Sequence, residues 1–184
     1  MTTRVSLPGM RSPGAGFDQP FEMLDACHDR VRRSLDLLRH LRDYLRGHGH
    51  GCDDSARQAA RDVLRYFDIA APLHHEDEEL HVFPPLLAQE HDAPLVTLVR
   101  QLQRDHVRMA ERWATARGPL QAMADGQLPA FSAEHEAALD GFAECYADHL
   151  RHEDDSIYPA ARALLDPGAQ SAMGQEMARR RGVR

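Results

Sequence analysis

The stretch HHEDEELHVFPP, residues 74–85, crowds three histidines and four carboxylates into eight residues, ahead of an apolar pair and two prolines. A solvated helix face has no use for so many imidazoles. The chain repeats the pattern 75 residues later as HLRHEDDSIYPA, residues 149–160. His74 falls on His149, Glu78 on Glu153, Glu79 on Asp154, Val82 on Ile157, Phe83 on Tyr158 and Pro84 on Pro159. The shared order is His, three residues, Glu, an acid, three residues, an aromatic, then proline. Each copy also has a histidine upstream: His28 lies 46 residues before His74, and His106 lies 43 before His149.

The segments around these histidines read as helices. Phe21, Leu24, Val31, Leu35, Leu38, Leu41 and Leu45 step by three and four, and His28 fills the one gap of seven. A second helix is expected from Asp54 or Ser55, turning Val63, Phe67, His74 and Glu78 inward, with Pro72 kinking it and Pro84 and Pro85 kinking or ending it. A third starts near Ala93 and aligns Leu95, Val99, Leu102, His106, Met109 and Trp113, weakening at Gly118 and Pro119. A fourth begins near Pro129, aligns Leu139, Phe142, Tyr146, His149 and Glu153, and closes at the Asp-Pro-Gly of 166–168. No period-two strand pattern is present. The expected fold is all-α: an antiparallel, up-down-up-down four-helix bundle over residues 18–166. Residues 1–17, rich in Gly, Pro and Ser, read as a flexible arm, and 167–184 as a solvated basic C-terminal tail.

Bulk properties narrow the function. A chain of 184 residues fits one domain, and its net charge of -7 gives no electrostatic case for nucleic acid. No run approaches the roughly 18 apolar residues of a membrane span, and the N-terminus lacks the apolar core of a secretory signal. Cys27, Cys52 and Cys145 make an odd count without a CxxC, which points to a reducing, cytoplasmic setting and away from a cysteine zinc site.

Residues i and i+4 share a helical face about 6 Å apart along the axis. His74 with Glu78, and His149 with Glu153, can therefore reach one metal ion, or two that share the carboxylate. One helix pair offers three ligands; both together offer four imidazoles (His28, His74, His106, His149) and two carboxylates (Glu78, Glu153). Two carboxylates can bridge two ions, each capped by two imidazoles. Mixed nitrogen and oxygen ligands with open positions suit iron, and manganese or zinc could also occupy such a site. A lone histidine on an apolar seam is ordinarily a hydrogen-bonded core residue. Four on inward seams, two with Glu at i+4, form a buried polar layer that calls for a cation.

Rival chemistries fit less well. A ferritin-like centre wants E-x-x-H on two helices, and only Glu78 to His81 supplies it. A zinc peptidase wants H-E-x-x-H, and Glu79 and Ser156 stand where its second histidine belongs. A metal-free interaction bundle would leave the His and Glu layer to water.

With the paired H-x-x-x-E motifs in hand, the chain resembles the hemerythrin-like, HHE cation-binding domains over residues 18–165. The resemblance implies His28, His74, Glu78, His106, His149 and Glu153 as ligands, with Glu78 and Glu153 bridging two iron ions. Oxygen-carrying members place another histidine four residues after the one on the third helix; here that position is Ala110. The four-histidine, two-glutamate set looks more like the bacterial branch that includes iron-centre repair proteins, which usually carry an extra cysteine-bearing domain. The implied function is binding of, or response to, oxygen, nitric oxide, iron or redox state, with iron donation as the alternative. A weak oxidase activity has no residue assigned to it. His81 and His152 are weaker candidates, as outer or spare ligands, outweighed by a role outside the site, and His75 is expected at solvent or an interface. His48, His50, His91 and His135 lack a partner at ligand spacing. Cys27 reads as packing, Tyr146 as core packing or a donor to bound ligand, and Tyr44, Tyr66 and Trp113 as core or rim.

Overall fold

The computed structural model describes residues 16–47 and 51–183, so most of the expected arm, together with His48 and His50, lies outside the described residues. The described chain is all-helical, in five rods with no strand among them. Helix α1 is Pro20–Gly47. Helix α2 begins at Asp54, where Asp53 caps it by accepting the Ala56 amide at 2.9 Å, and runs on to Leu87. Helix α3 is Ala93–Ala124, capped by Asp92. Helix α4 begins at Ala133, four residues later than the proline-based expectation, because Ser132 and His135 form a reciprocal capping box. It breaks briefly after Ala143, resumes over Ala147–His152 and ends at Leu164. Helix α5 is Pro167–Arg180.

Prolines shape α2 and α4 without ending them. Each rod widens into five-residue π-helical turns: Tyr66–Ala70 and Glu78–Val82 in α2, and Glu153–Ile157 in α4. In each, the residue after the turn donates its N–H five residues back: Ala71 to Tyr66, Phe83 to Glu78 and Tyr158 to Glu153. Pro72, Pro84 and Pro159 come directly after. A proline lacks the N–H and crowds the carbonyl four residues back; a wide turn just before it removes the clash without breaking the rod. Gly118 and Pro119 do not stop α3 either, because Ala116, Leu120 and Met123 are fully buried on either side of them.

The core is two apolar clusters separated by a polar layer. One holds Val31, Leu38, Val63, Phe67, Met109, Leu120, Leu139 and Phe142. The other holds Phe21, Leu24, Val82, Phe83, Val99, Leu102, Ile157 and Tyr158. Along every one of the first four rods, the histidine and glutamate positions fall between the two clusters.

The segment after 166 is not a solvated tail. Asp166 accepts the Ala169 amide at 2.8 Å and Pro167 takes the first turn, so the residues that close α4 also start α5. Met173 and Met177, one turn apart, join the second cluster. The backbone of Phe17 crosses α5 so closely that a Cβ at Gly174 would meet its carbonyl oxygen at 1.8 Å. Phe17, assigned to the arm from sequence, is thus part of the packed structure. Arg180 and Arg181 both reach the fully buried Asp77 of α2 at 2.6 Å. No helix among the described residues is long and apolar enough to cross a membrane.

Candidate metal centre

All six residues singled out by spacing meet in the layer between the clusters, and all are buried, from 0% exposed for His28, Glu78 and Glu153 to 7% for His106. They form two groups that could hold a metal ion: His28, His74, Glu78 and Glu153, and Glu78, His106, His149 and Glu153. The atoms sort cleanly. Glu78 Oε1 lies 3.9 Å from His28 Nε2 and 3.5 Å from His74 Nε2, while its Oε2 lies 3.3 Å from His106 Nε2. Glu153 Oε2 lies 3.2 Å from His28 Nε2, while its Oε1 lies 3.0 Å from His149 Nε2 and 3.9 Å from His106 Nε2. Each carboxylate therefore turns one oxygen toward each imidazole pair.

The remaining ring nitrogens of His28 and His106 explain why their Nε2 atoms face inward. His28 Nδ1 sits 2.6 Å from Asp154 Oδ1, and Asp154 is held from outside by Arg32. His106 Nδ1 sits 2.9 Å from Glu79 Oε1, whose other oxygen accepts from Gln103 at 2.7 Å. A carboxylate at Nδ1 fixes that proton and leaves Nε2 free as a ligand. Asp154 and Glu79 are the paired acids of the repeat, each acting on a histidine of the other half. Their equivalence is visible in sequence, but which helix each would face is not.

Charge is poorly satisfied without a cation. Glu78 Oε2, both Glu153 oxygens, His106 Nε2 and His149 Nε2 are buried without a hydrogen-bond partner, a costly arrangement for carboxylates. Burial opposes protonation of His28 and His106, yet the surrounding carboxylates overcome it and raise them to about 11 and about 10. Burial likewise opposes ionisation of Glu78, and the facing histidines hold it well below the usual carboxylate range all the same. The donor set and its unpaired oxygens fit a pair of divalent cations.

Tyr158, noted in the sequence only as the partner of Phe83, enters the layer. Its hydroxyl lies 2.9 Å from His28 Nε2 and donates to Glu78 Oε1, and its ring stacks on His28. Phe83 stacks on His106 in the corresponding place. His75 is the clearest departure from expectation. Its half-buried ring lies parallel to His106 with centroids 4.1 Å apart and 6.2 Å from that of His149. Burial, then the neighbouring His106, lowers its pKa well below the ordinary value. His81 instead pairs with Glu176 of α5 at 2.6 Å. His152 is half-buried with an unpartnered Nδ1 and joins neither group, and His135 serves as a cap. Cys27 and Tyr146 are buried; Trp113 donates to Asp68 at 2.9 Å and Tyr44 to Asp53 at 2.6 Å.

The chain matches the family model described as Hemerythrin HHE cation binding domain over residues 19–161. It is also 32% identical over 171 residues to a Haemophilus influenzae protein described as "Uncharacterized protein", spanning 92% of this chain and 94% of that one.

Proposed function

The chain belongs to the hemerythrin HHE cation-binding domain family, and on that premise we propose that it is a non-haem di-iron protein that binds or responds to oxygen, nitric oxide, iron or redox state. His28 and His74 would hold one ion, His106 and His149 the other, and Glu78 and Glu153 would bridge them. The observation that carries the reading is the division of each buried carboxylate, one oxygen to each imidazole pair. Bound iron supplies ferrous–ferric exchange and open positions for a diatomic ligand.

The chain's own residues do the rest. Asp154 and Glu79 hold the Nδ1 protons, orienting two rings. Tyr158 and Phe83 cover two imidazole faces and keep water from them. The burial of all six ligands favours retention of metal over donation. An antiparallel, up-down-up-down arrangement of α1 to α4 belongs to the same reading, supported by contacts that descend along α4 as they ascend α1: His28 to Asp154, Arg42 to Asp140, Arg46 to Glu136. So does a cytoplasmic setting, supported by three free thiols.

Anaerobic iron titration tests the reading. Two triads sharing two carboxylates should saturate near two iron ions per chain, and air oxidation should then give near-ultraviolet charge-transfer absorption. Saturation at one ion would leave a mononuclear site and end the bridged assignment.

A further inference from the structure

The two halves of the centre are built from one repeat, yet they differ where an incoming ligand would approach. The position one turn after His28 is Arg32, which bonds Asp154. The position one turn after His106 is Ala110, which carries no donor and little bulk. The aromatic that comes after the bridging glutamate is Tyr158 on the first half, with its hydroxyl against His28 Nε2 and Glu78. On the second half it is Phe83, which has no hydroxyl to offer. The first half is thus filled by a phenol and sealed by an ion pair, and the second is not.

A cavity of about 170 Å³ adjoins the second half, lined by Phe67, Pro72, His75, Ala110, Trp113 and Tyr146 among others. That is several times the roughly 30 Å³ one water takes in the liquid. The His75 ring, which lines it, stacks on His106 of the ligand layer with centroids 4.1 Å apart. A larger hollow of about 340 Å³ lies on the first half between α1 and α4, but both members of the Arg32–Asp154 pair line it, and Asp154 in turn holds the Nδ1 of His28.

We propose that exogenous ligands, small linear anions and diatomic gases, bind at the ion held by His106 and His149, entering by the aromatic cavity at Ala110 with His75 as its inner gate. The proposal rests on the di-iron reading above. Ala110 sets the width of the route and His75 its opening, while Tyr158 keeps the other ion closed.

Stopped-flow mixing of azide with the diferric protein, and of nitric oxide with the diferrous protein, followed by charge-transfer absorbance, tests it. Iron per chain is measured in every variant. Ala110→Leu should keep two irons and slow azide association about tenfold or more, since it adds three carbons where a single methylene in an apolar pocket already weighs about tenfold. His75→Ala should speed it. Ala147→Leu, which narrows the charged hollow instead, should leave the rate within about twofold, as expected of a position off the route. Where Ala110→Leu does not fold, Ala110→Val and His75→Ala carry the comparison. Two irons with wild-type azide kinetics in the Ala110 variants, or slowing by Ala147→Leu, would overturn the route while leaving the di-iron reading intact. A wild-type chain that takes up no iron would overturn both.

Discussion

Glu76 and Glu78 stand two residues apart in one acidic run, and their surroundings separate them. Glu78 is fully buried among three histidines, whereas the side chain of Glu76 is 49% exposed and pairs with Arg180. Glu78→Ala should lose iron and, with it, the stabilisation that binding to the folded state gives, about 2.7 kcal/mol at a hundredfold excess over the dissociation constant. Glu76→Ala should keep two irons, and equal behaviour of the two variants in iron content and melting would refute the helical register. The acids that orient the rings act more gently. Asp154→Asn and Glu79→Gln should each lower metal affinity about 10- to 100-fold in competition with a chelator, because an amide holds the Nδ1 proton less firmly. The six inward residues are legible from sequence because i, i+4 spacing is a local property of one helix. Asp154, Glu79, Tyr158 and His75 are not, because their partners sit on other helices: His75 looks outward from α2 alone, and only the approach of α3 lays His106 against it.

At the scale of the element, the repeat encodes more than ligands. Pro84 and Pro159 each fall six residues after a glutamate of the centre, and each is preceded by a π-helical turn that begins at that glutamate. The extra residue in the turn resets the phase of the helix beyond it, which lets Tyr158 face the layer five residues after Glu153 rather than four. Pro159→Ala frees the backbone to return to α-geometry, where alanine is favoured by about 3 kcal/mol in a helix interior. Metal-free protein should then melt higher, while the gain in melting temperature on adding metal should shrink as Tyr158 swings away. An unchanged metal-dependent gain would show that the wide turn does not position the site. From sequence these prolines read as kinks or stops; the π turn that accommodates them depends on burial of residues on both sides. Asp166 and Pro167 likewise read only as an end, although Asp followed by Pro also starts a helix. Helix α5 leaves Asp77 buried with Arg180 and Arg181 as its counter-ions. Replacing both arginines with alanine should cost about 3 to 5 kcal/mol in denaturant unfolding, since it strands a buried carboxylate. A loss below about 1 kcal/mol, the scale of an exposed pair, would mean that water reaches Asp77.

Across the whole molecule, the four rods carry cluster, ligand layer and cluster in alternating order, so the polar layer crosses the middle of the core. That arrangement is readable from the apolar seams and the position of the histidines within them; the fifth helix that closes one end is not. The layer couples metal to protons. In the metal-free protein His28 and His106 hold protons up to about 11 and about 10, against an ordinary histidine value of 6.5, because carboxylates surround them. The folded state binds these protons more tightly than the unfolded one. Their contribution to stability is therefore fully present below about 6.5 and is lost as pH rises through 10 to 11. Metal must displace the same two protons, so loading near pH 7 should release about two protons per chain, read with an indicator dye in weak buffer. It follows that the melting-temperature gain on adding zinc should grow from about pH 6 to about pH 8, because fewer free protons compete for the two Nε2 atoms, while the metal-free melting temperature falls progressively as pH rises above about 6.5. Zinc is the better probe here, since it changes no oxidation state. A gain that is flat across that range, with no proton release, would mean that His28 and His106 are already neutral and that the carboxylates of the layer are balanced in some other way.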